Sequence, residues 1–145
     1  MQRSYLPFFV FATLFLLAMP WPFDMATSVV PGWHTNIFPP LFLINILLSL
    51  VLLFVVTGYW KLARRDHKVS WNFFIAHLLL TVPEIIILRF SSQFFGLLIG
   101  KRTEPLEIVN LETNLTIAAL ILFVVGQALF MLYFFKARFL KTDRA

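Results

Sequence analysis

The sequence contains no cysteine, which excludes disulfides, thiolate metal sites and thiol redox chemistry. Charged residues are also scarce: they make up 13% of the 145 residues, whereas 60% are hydrophobic and 18 are phenylalanine. A soluble domain of this size cannot bury so much apolar surface. We therefore expect lipid to be the solvent of this chain.

Motifs for soluble-type enzyme chemistry are missing as well. The sequence has no phosphate-binding glycine loop, no nucleophile elbow and no paired-carboxylate motif. Its histidines, His34, His67 and His77, include no pair at the i, i+4 spacing that places two metal ligands on one helix face. We expect no metal site and no cofactor held by this chain alone, and we do not expect the chain to be an enzyme on its own.

Four apolar runs dominate what is present. Each is close to the ~20 residues that cross ~30 Å of hydrocarbon as a helix. They predict an all-α polytopic membrane protein with one domain over residues 1–145, a bundle of four transmembrane helices at about 5–23, 38–60, 71–91 and 114–136. The basic start also fits a signal peptide, but Ala18 is followed by Met-Pro-Trp-Pro rather than by a small-x-small cleavage site, so we expect the first helix to be retained.

The distribution of charge predicts the orientation. Basic residues concentrate near the N-terminus at Arg3, between the second and third runs at 61–68, and in the tail at 136–144. The positive-inside rule places these segments, and both termini, in the cytoplasm. This asymmetry accounts for the net charge of +5, so we do not expect nucleic acid as a partner.

The region between the third and fourth runs is predicted to be external. "FFGLLIG" at 94–100 is too short to cross, and it is expected to lie in the interface or to extend the third helix, with Gly96 and Gly100 as helix stops or turns. The following polar stretch, "KRTEPLEIVNLETN", is expected to be a loop that ends in a helix start at Thr113 or Asn114.

The third span carries the polar residues of most interest. At 100° per residue, His77, Thr81 and Glu84 form one stripe along the helix. An ionised carboxylate at mid-membrane costs at least ~2.5–3.5 kcal/mol, so Glu84 should be neutral, paired, or facing a wet or protein-filled interior. His77 and Glu84 are ~10.5 Å apart along the axis, so a water, a ligand or a third side chain would have to connect them.

Two interpretations of this stripe stay open. In the structural one, a neutral Glu84 bonds to a neighbouring helix or to carbonyls freed by a kink at Pro83. In the functional one, His77, Thr81 and Glu84 handle protons or bind a ligand. Elsewhere, Asn45 and Ser49 share a face of the second span, and Gln127 lies in the fourth. These three amides and hydroxyls are predicted to form hydrogen bonds between helices.

A segment between the first two spans resembles a known family. "VPGWHTNIFPPLF", residues 30–42, resembles the Pro-Gly-Trp-His-Ser/Thr-Thr-Ile-Phe-Pro-Pro-Tyr-Phe segment of the NrfD-like membrane subunits of alternative complex III, a bacterial quinol-oxidising complex. The likeness implies an outer-surface location near a quinol and proton-handling region, with His34 as a candidate functional residue. The sequence departs from the family at Asn36 and Leu41. The positions that match are Pro31, Gly32, Trp33, His34, Thr35, Ile37, Phe38, Pro39, Pro40 and Phe42.

A purely structural explanation of this segment is also available. A Pro-Gly turn, a Pro-Pro helix start and an interfacial Trp33 would leave His34 as a plain imidazole. The overall layout is also similar to small uncharacterised bacterial four-helix membrane proteins that carry a His-Asp-Thr-Tyr-Phe segment, through Tyr59-Trp60 and "KLARRDHK".

Two function classes follow from these likenesses and from the stripe. The first is an accessory or assembly subunit of a respiratory complex, quinol-oxidising or terminal oxidase, in the bacterial inner membrane. Its partners would be lipids and other membrane subunits, and a quinone or lipid could bind nearby. The second is a stand-alone module that binds a lipid-like molecule or quinone, with proton handling by His77 and Glu84.

Overall fold

The computed structural model describes residues 5–20, 40–64, 69–99 and 105–139, with side chains described over 5–20, 43–64, 69–90 and 109–137. These residues form four α-helices and no strand: α1 Leu6–Ala18, α2 Pro40–Arg64, α3 Trp71–Ile99 and α4 Pro105–Phe139. The all-α prediction is confirmed for this part of the chain.

Three of the helices are long and apolar enough to cross a membrane, along Leu43–Arg64, Trp71–Phe90 and Val109–Ala137. The chain is therefore a membrane protein by helix length and composition. The first helix, α1, is apolar but has 13 residues, or ~20 Å of helix, which is less than the ~30 Å of hydrocarbon. It ends because Met19, which precedes Pro20, is driven to extended geometry (φ −61°, ψ 130°).

The start of α4 corrects the sequence prediction. We expected the helix to begin at Thr113 or Asn114, but it begins at Pro105, at a position where proline is favoured since no amide donor is needed. The Thr113 hydroxyl bonds back to the Val109 carbonyl at 2.8 Å inside the helix, rather than capping a helix start. The expected polar loop is thus partly helical.

The end of α2 differs from prediction, whereas the end of α3 agrees with one of the two alternatives. The α2 helix continues to Arg64, so Lys61 and Arg64 lie in its last turn, where cations are favourable, and not in a link. The α3 helix runs through Gly96 to Ile99, so the expectation that residues 94–100 extend the third helix is confirmed as far as Ile99, and Gly96 is not a helix stop. Its non-helical residue is Phe90 (φ −125°, ψ 25°), whereas Pro83 lies inside the helix. Gly100 is outside the described residues.

The helices pack in a definite order. The α3 helix packs most extensively on α4, and α1 on α2, while α1 also contacts α3 and α2 contacts α4. Close approach of α2 and α4 depends on Gly58, because a Cβ there would lie 2.6 Å from Phe130 Cζ. The outward faces are strongly apolar: Leu43, Leu79 and Leu132 on three different helices are each about two-thirds exposed. Such faces are suited to lipid or to other membrane proteins.

Candidate functional site

The centre of the molecule is a group of four buried polar side chains, which we call the His77 cluster: Tyr59 of α2, His77 and Thr81 of α3, and Gln127 of α4. The Tyr59 hydroxyl lies 2.9 Å from His77 Nδ1, and His77 Nε2 lies 3.4 Å from Gln127 Oε1. The Gln127 amide donates to Thr81 Oγ1 at 3.2 Å, and the Thr81 hydroxyl donates to the His77 carbonyl at 2.8 Å. The cluster is therefore a continuous chain of hydrogen bonds.

The order of these bonds assigns the tautomer of His77. An amide oxygen only accepts, so the bond to Gln127 Oε1 requires the hydrogen on His77 Nε2. His77 Nδ1 is then the acceptor, and the Tyr59 hydroxyl donates to it. A neutral imidazole with both nitrogens engaged satisfies every ring atom that can form a hydrogen bond. The long 3.4 Å contact to Gln127 is the weakest bond of the chain.

Aromatic rings enclose the same imidazole. Its ring centroid lies 4.4 Å from that of Phe11 at an interplanar angle of 23°, and 5.2 Å from that of Phe130 at 18°. Phe11 also stacks on Tyr59, with centroids 5.0 Å apart. Phe11, Tyr59, His77 and Phe130 come from α1, α2, α3 and α4 respectively, so all four helices meet at His77. His77 itself is 1% exposed.

A glycine makes the contact between α3 and α4 possible. A Cβ at Gly126 would lie 3.0 Å from Leu80 Cβ, 3.5 Å from His77 Cδ2 and 3.6 Å from Thr81 Oγ1. The backbone of α4 therefore lies directly against the His77 cluster, which allows the neighbouring Gln127 to reach both His77 and Thr81. Small residues at membrane helix interfaces have this effect in general.

Glu84 lies on the His77 face of α3 but outside the cluster. Its side chain is 4% exposed, and among the described residues its Oε2 atom has no hydrogen-bond partner. A buried acceptor without a partner costs ~1–3 kcal/mol. The structure therefore divides the predicted stripe: His77 and Thr81 are engaged with other helices, whereas one carboxyl oxygen of Glu84 is not.

Two polar residues of α2, Ser49 and Asn45, also differ in whether their side-chain oxygens are hydrogen-bonded. The Ser49 hydroxyl donates to the Ala18 carbonyl at 3.1 Å and so ties α2 to the end of α1. Asn45, one turn earlier on the same face, has a buried Oδ1 without a partner in the described part of the chain. Ser49 thus links two helices, while the Asn45 oxygen has no partner among the residues that the structure describes.

The other candidate, His34, lies outside the described residues together with the rest of the segment from Pro31 to Pro39. Within the described ranges, no group of three or more His, Cys, Asp or Glu side chains is placed to hold a metal ion.

Sequence reasoning missed three residues of the site, Tyr59, Phe11 and Phe130. The available signal for Tyr59 was helical phase, because it lies 14 residues after Asn45 and within ~40° of it around α2. Phe11 carried no comparable signal, since 18 phenylalanines are spread along the chain and the sequence does not show which of them meets an imidazole.

Comparison with known proteins adds no assignment. The chain matches no protein-family model, and neither a curated protein nor a solved structure is significantly similar to it.

Proposed function

We propose that this protein is a small accessory or assembly subunit of a bacterial respiratory membrane complex, quinol-oxidising or terminal oxidase. In this proposal it crosses the inner membrane as a four-helix bundle with both termini in the cytoplasm. It binds lipids and neighbouring subunits through its apolar helix faces, and it contributes no cofactor of its own.

The observation that carries the accessory role is the engagement of His77. Both of its ring nitrogens have partners within the chain, and two aromatic rings stack on it. Residues in this state hold helices together rather than react with a substrate. What the protein offers to its surroundings is then the exposed apolar surface of α2, α3 and α4.

The respiratory assignment has a separate and narrower support, which is the likeness of residues 31–42 to the NrfD-like subunits. That segment follows α1, whose last helical residue is Ala18, and precedes most of α2, which begins at Pro40. It would lie at the external end of both helices, where a subunit that flanks a quinol site could meet its partner.

Purification in a mild detergent tests this role. A tagged chain isolated from membranes of its natural host should bring down haem or iron–sulfur subunits in fixed ratio, identified by mass spectrometry and absorption spectra. Leu79→Trp on α3 and Leu132→Trp on α4 probe two exposed faces. The variant on the docking face should lose its partners, while the variant on a lipid-facing side should keep them. Recovery of the chain alone and monodisperse would contradict the accessory role.

A second function is favoured by Glu84 alone. A carboxyl group that is 4% exposed, with an oxygen that lacks a partner among the described residues, is a site for a proton or a ligand inside the membrane. In this alternative the protein works by itself, binds a lipid-like molecule or quinone, and handles protons through Glu84 and His77.

Glu84→Gln tests the proton-handling part, because the amide keeps the shape of the carboxyl group and cannot exchange a proton. Proton uptake by the purified protein in vesicles, measured with a pH-sensitive dye, should fall to background in this variant. Glu112→Gln is the matched control, as Glu112 is a part-exposed residue of α4. Unchanged proton uptake in Glu84→Gln would remove this alternative.

A further inference from the structure

The unpaired oxygen of Glu84 lies at a definite height in the molecule. Phe11 of α1 stacks on His77 of α3. Ala18 and Glu84 are each seven residues further along, which is ~10.5 Å of helix. The α1 and α3 helices run in the same direction, because each of them is antiparallel to α2. Glu84 is therefore level with the last helical residue of α1.

Contacts and connectivity support this register. Phe11 stacks on Tyr59 near one end of α2, and Ala18 meets Ser49 nearer the other end, so α1 and α2 are antiparallel. Only six residues separate the end of α2 at Arg64 from the start of α3, which turns α3 back alongside it. Beyond the height of Ala18, the described part of α1 supplies no further helical turn.

A second unpaired acceptor lies on the same side of the His77 cluster. Asn45 is one turn before Ser49 and therefore ~6 Å further from the cluster. Its Oδ1 and the Oε2 of Glu84 are the two buried side-chain atoms without a partner in the described part of the chain. The amide oxygen of Asn45 only accepts, and a carboxyl oxygen of Glu84 accepts or, when it carries the proton, donates, so a hydroxyl group can satisfy both atoms.

We propose that Glu84 and Asn45 bind the polar end of an uncharged amphiphile that carries a hydroxyl group. This inference deepens the second proposed function and rests on it, by naming the chemistry and the residues of the ligand site. A hydroxyl group donates to the oxygen of a neutral carboxyl group without bringing charge into the membrane. An ammonium or guanidinium ligand would instead require two buried charges, each with a large desolvation cost.

The surroundings fit the apolar remainder of such a molecule. Leu43 and Leu47 of α2 are 70% and 62% exposed, and Ile86 of α3 is 39% exposed. Each is two residues from Asn45 or Glu84, or ~200° around its helix, so these side chains form the outer surface at the height of the two oxygens. Asn45 itself is part-exposed, so the hydroxyl group of an alkyl chain on this surface can reach inward beside it.

Paired probes test the proposal on the wild-type protein. In phosphatidylcholine nanodiscs, tritiated 4-octylphenol should bind about tenfold more tightly than its methyl ether 4-octylanisole, in which a methyl group replaces the hydroxyl hydrogen and so removes the donor. Glu84→Gln should keep this preference, because the amide oxygen still accepts a hydrogen bond, whereas Glu84→Leu should lose it. Glu112→Leu is the matched control and should retain it.

Competition identifies the source of the hydroxyl group. Displacement of octylphenol by dioleoylglycerol would assign a lipid alcohol, and displacement by a decyl hydroquinone would assign a phenol. Equal binding of octylphenol and octylanisole to the wild type would overturn the proposal, even if Glu84→Leu did not fold. Because Glu84→Gln keeps ligand binding and loses proton uptake, failure of this site and failure of proton handling are distinguishable.

Discussion

The hydrogen bond from Tyr59 to His77 gives the sharpest test of the polar core. Tyr59→Phe removes one hydroxyl group and leaves the ring, so the stacking on Phe11 at 5.0 Å is retained. What is lost is the 2.9 Å bond, and His77 Nδ1 becomes a buried acceptor without a partner. Such an atom costs ~1–3 kcal/mol in soluble proteins, while single hydrogen bonds between membrane helices average ~0.6 and reach ~1.7 kcal/mol. We expect a loss of about 1–2 kcal/mol.

The free energy of unfolding is measured in mixed micelles by titration with sodium dodecyl sulfate, followed by circular dichroism. Tyr5→Phe is the matched control, because it removes the same hydroxyl group from a tyrosine that is 36% exposed and lies outside the His77 cluster. This control should change stability by less than about 0.5 kcal/mol. If Tyr59→Phe and Tyr5→Phe agree within about 0.3 kcal/mol, the polar core does not hold the helices as described.

Further predictions concern the tight contacts between helices. Gly58→Ala should destabilise the protein by ~1–3 kcal/mol, because its Cβ would lie 2.6 Å from Phe130 Cζ, and Phe130→Leu should restore part of the loss. Combining Tyr59→Phe with Gln127→Leu should give non-additive losses, with a coupling above ~0.5 kcal/mol, because both bonds end on one imidazole. Ser49→Ala should cost ~0.5–1.5 kcal/mol through the lost bond to the Ala18 carbonyl. The same titration measures the free energy of unfolding of each variant. If the losses of Tyr59→Phe and Gln127→Leu simply add in the double variant, the two side chains do not belong to one cluster.

The sequence was sufficient to predict that the chain is built of apolar helices, because an apolar run of about 20 residues is typical of a membrane-spanning helix. It was less informative at the helix ends. Residues 101–114 are predicted to be a polar loop, but the helix already begins at Pro105, and helices of membrane proteins can extend beyond the apolar layer into water. There a proline at the first position and threonines that bond back to the helix are compatible with continued helical geometry.

Within the site, helical phase placed His77, Thr81 and Glu84 on one face of α3, and the structure buries all three. Phase could not show that Glu84 lacks a partner for one oxygen while His77 has two. That difference depends on which residues of α2 and α4 lie at the same height, and this register is set by close contacts at Gly58 and Gly126. The sequence likewise placed the helix distortion at Pro83, whereas the non-helical residue is Phe90.

In the proposed arrangement the chain crosses the membrane four times around the His77 cluster, although α1 is only 13 residues long. Because the natural sequence has no cysteine, single cysteines can be introduced on a clean background. Gln2→Cys and Thr142→Cys, in intact cells, should both be protected from a membrane-impermeant maleimide, whereas Arg102→Cys should be labelled. Labelling of Gln2→Cys with protection of Thr142→Cys would show an odd number of crossings and contradict the account.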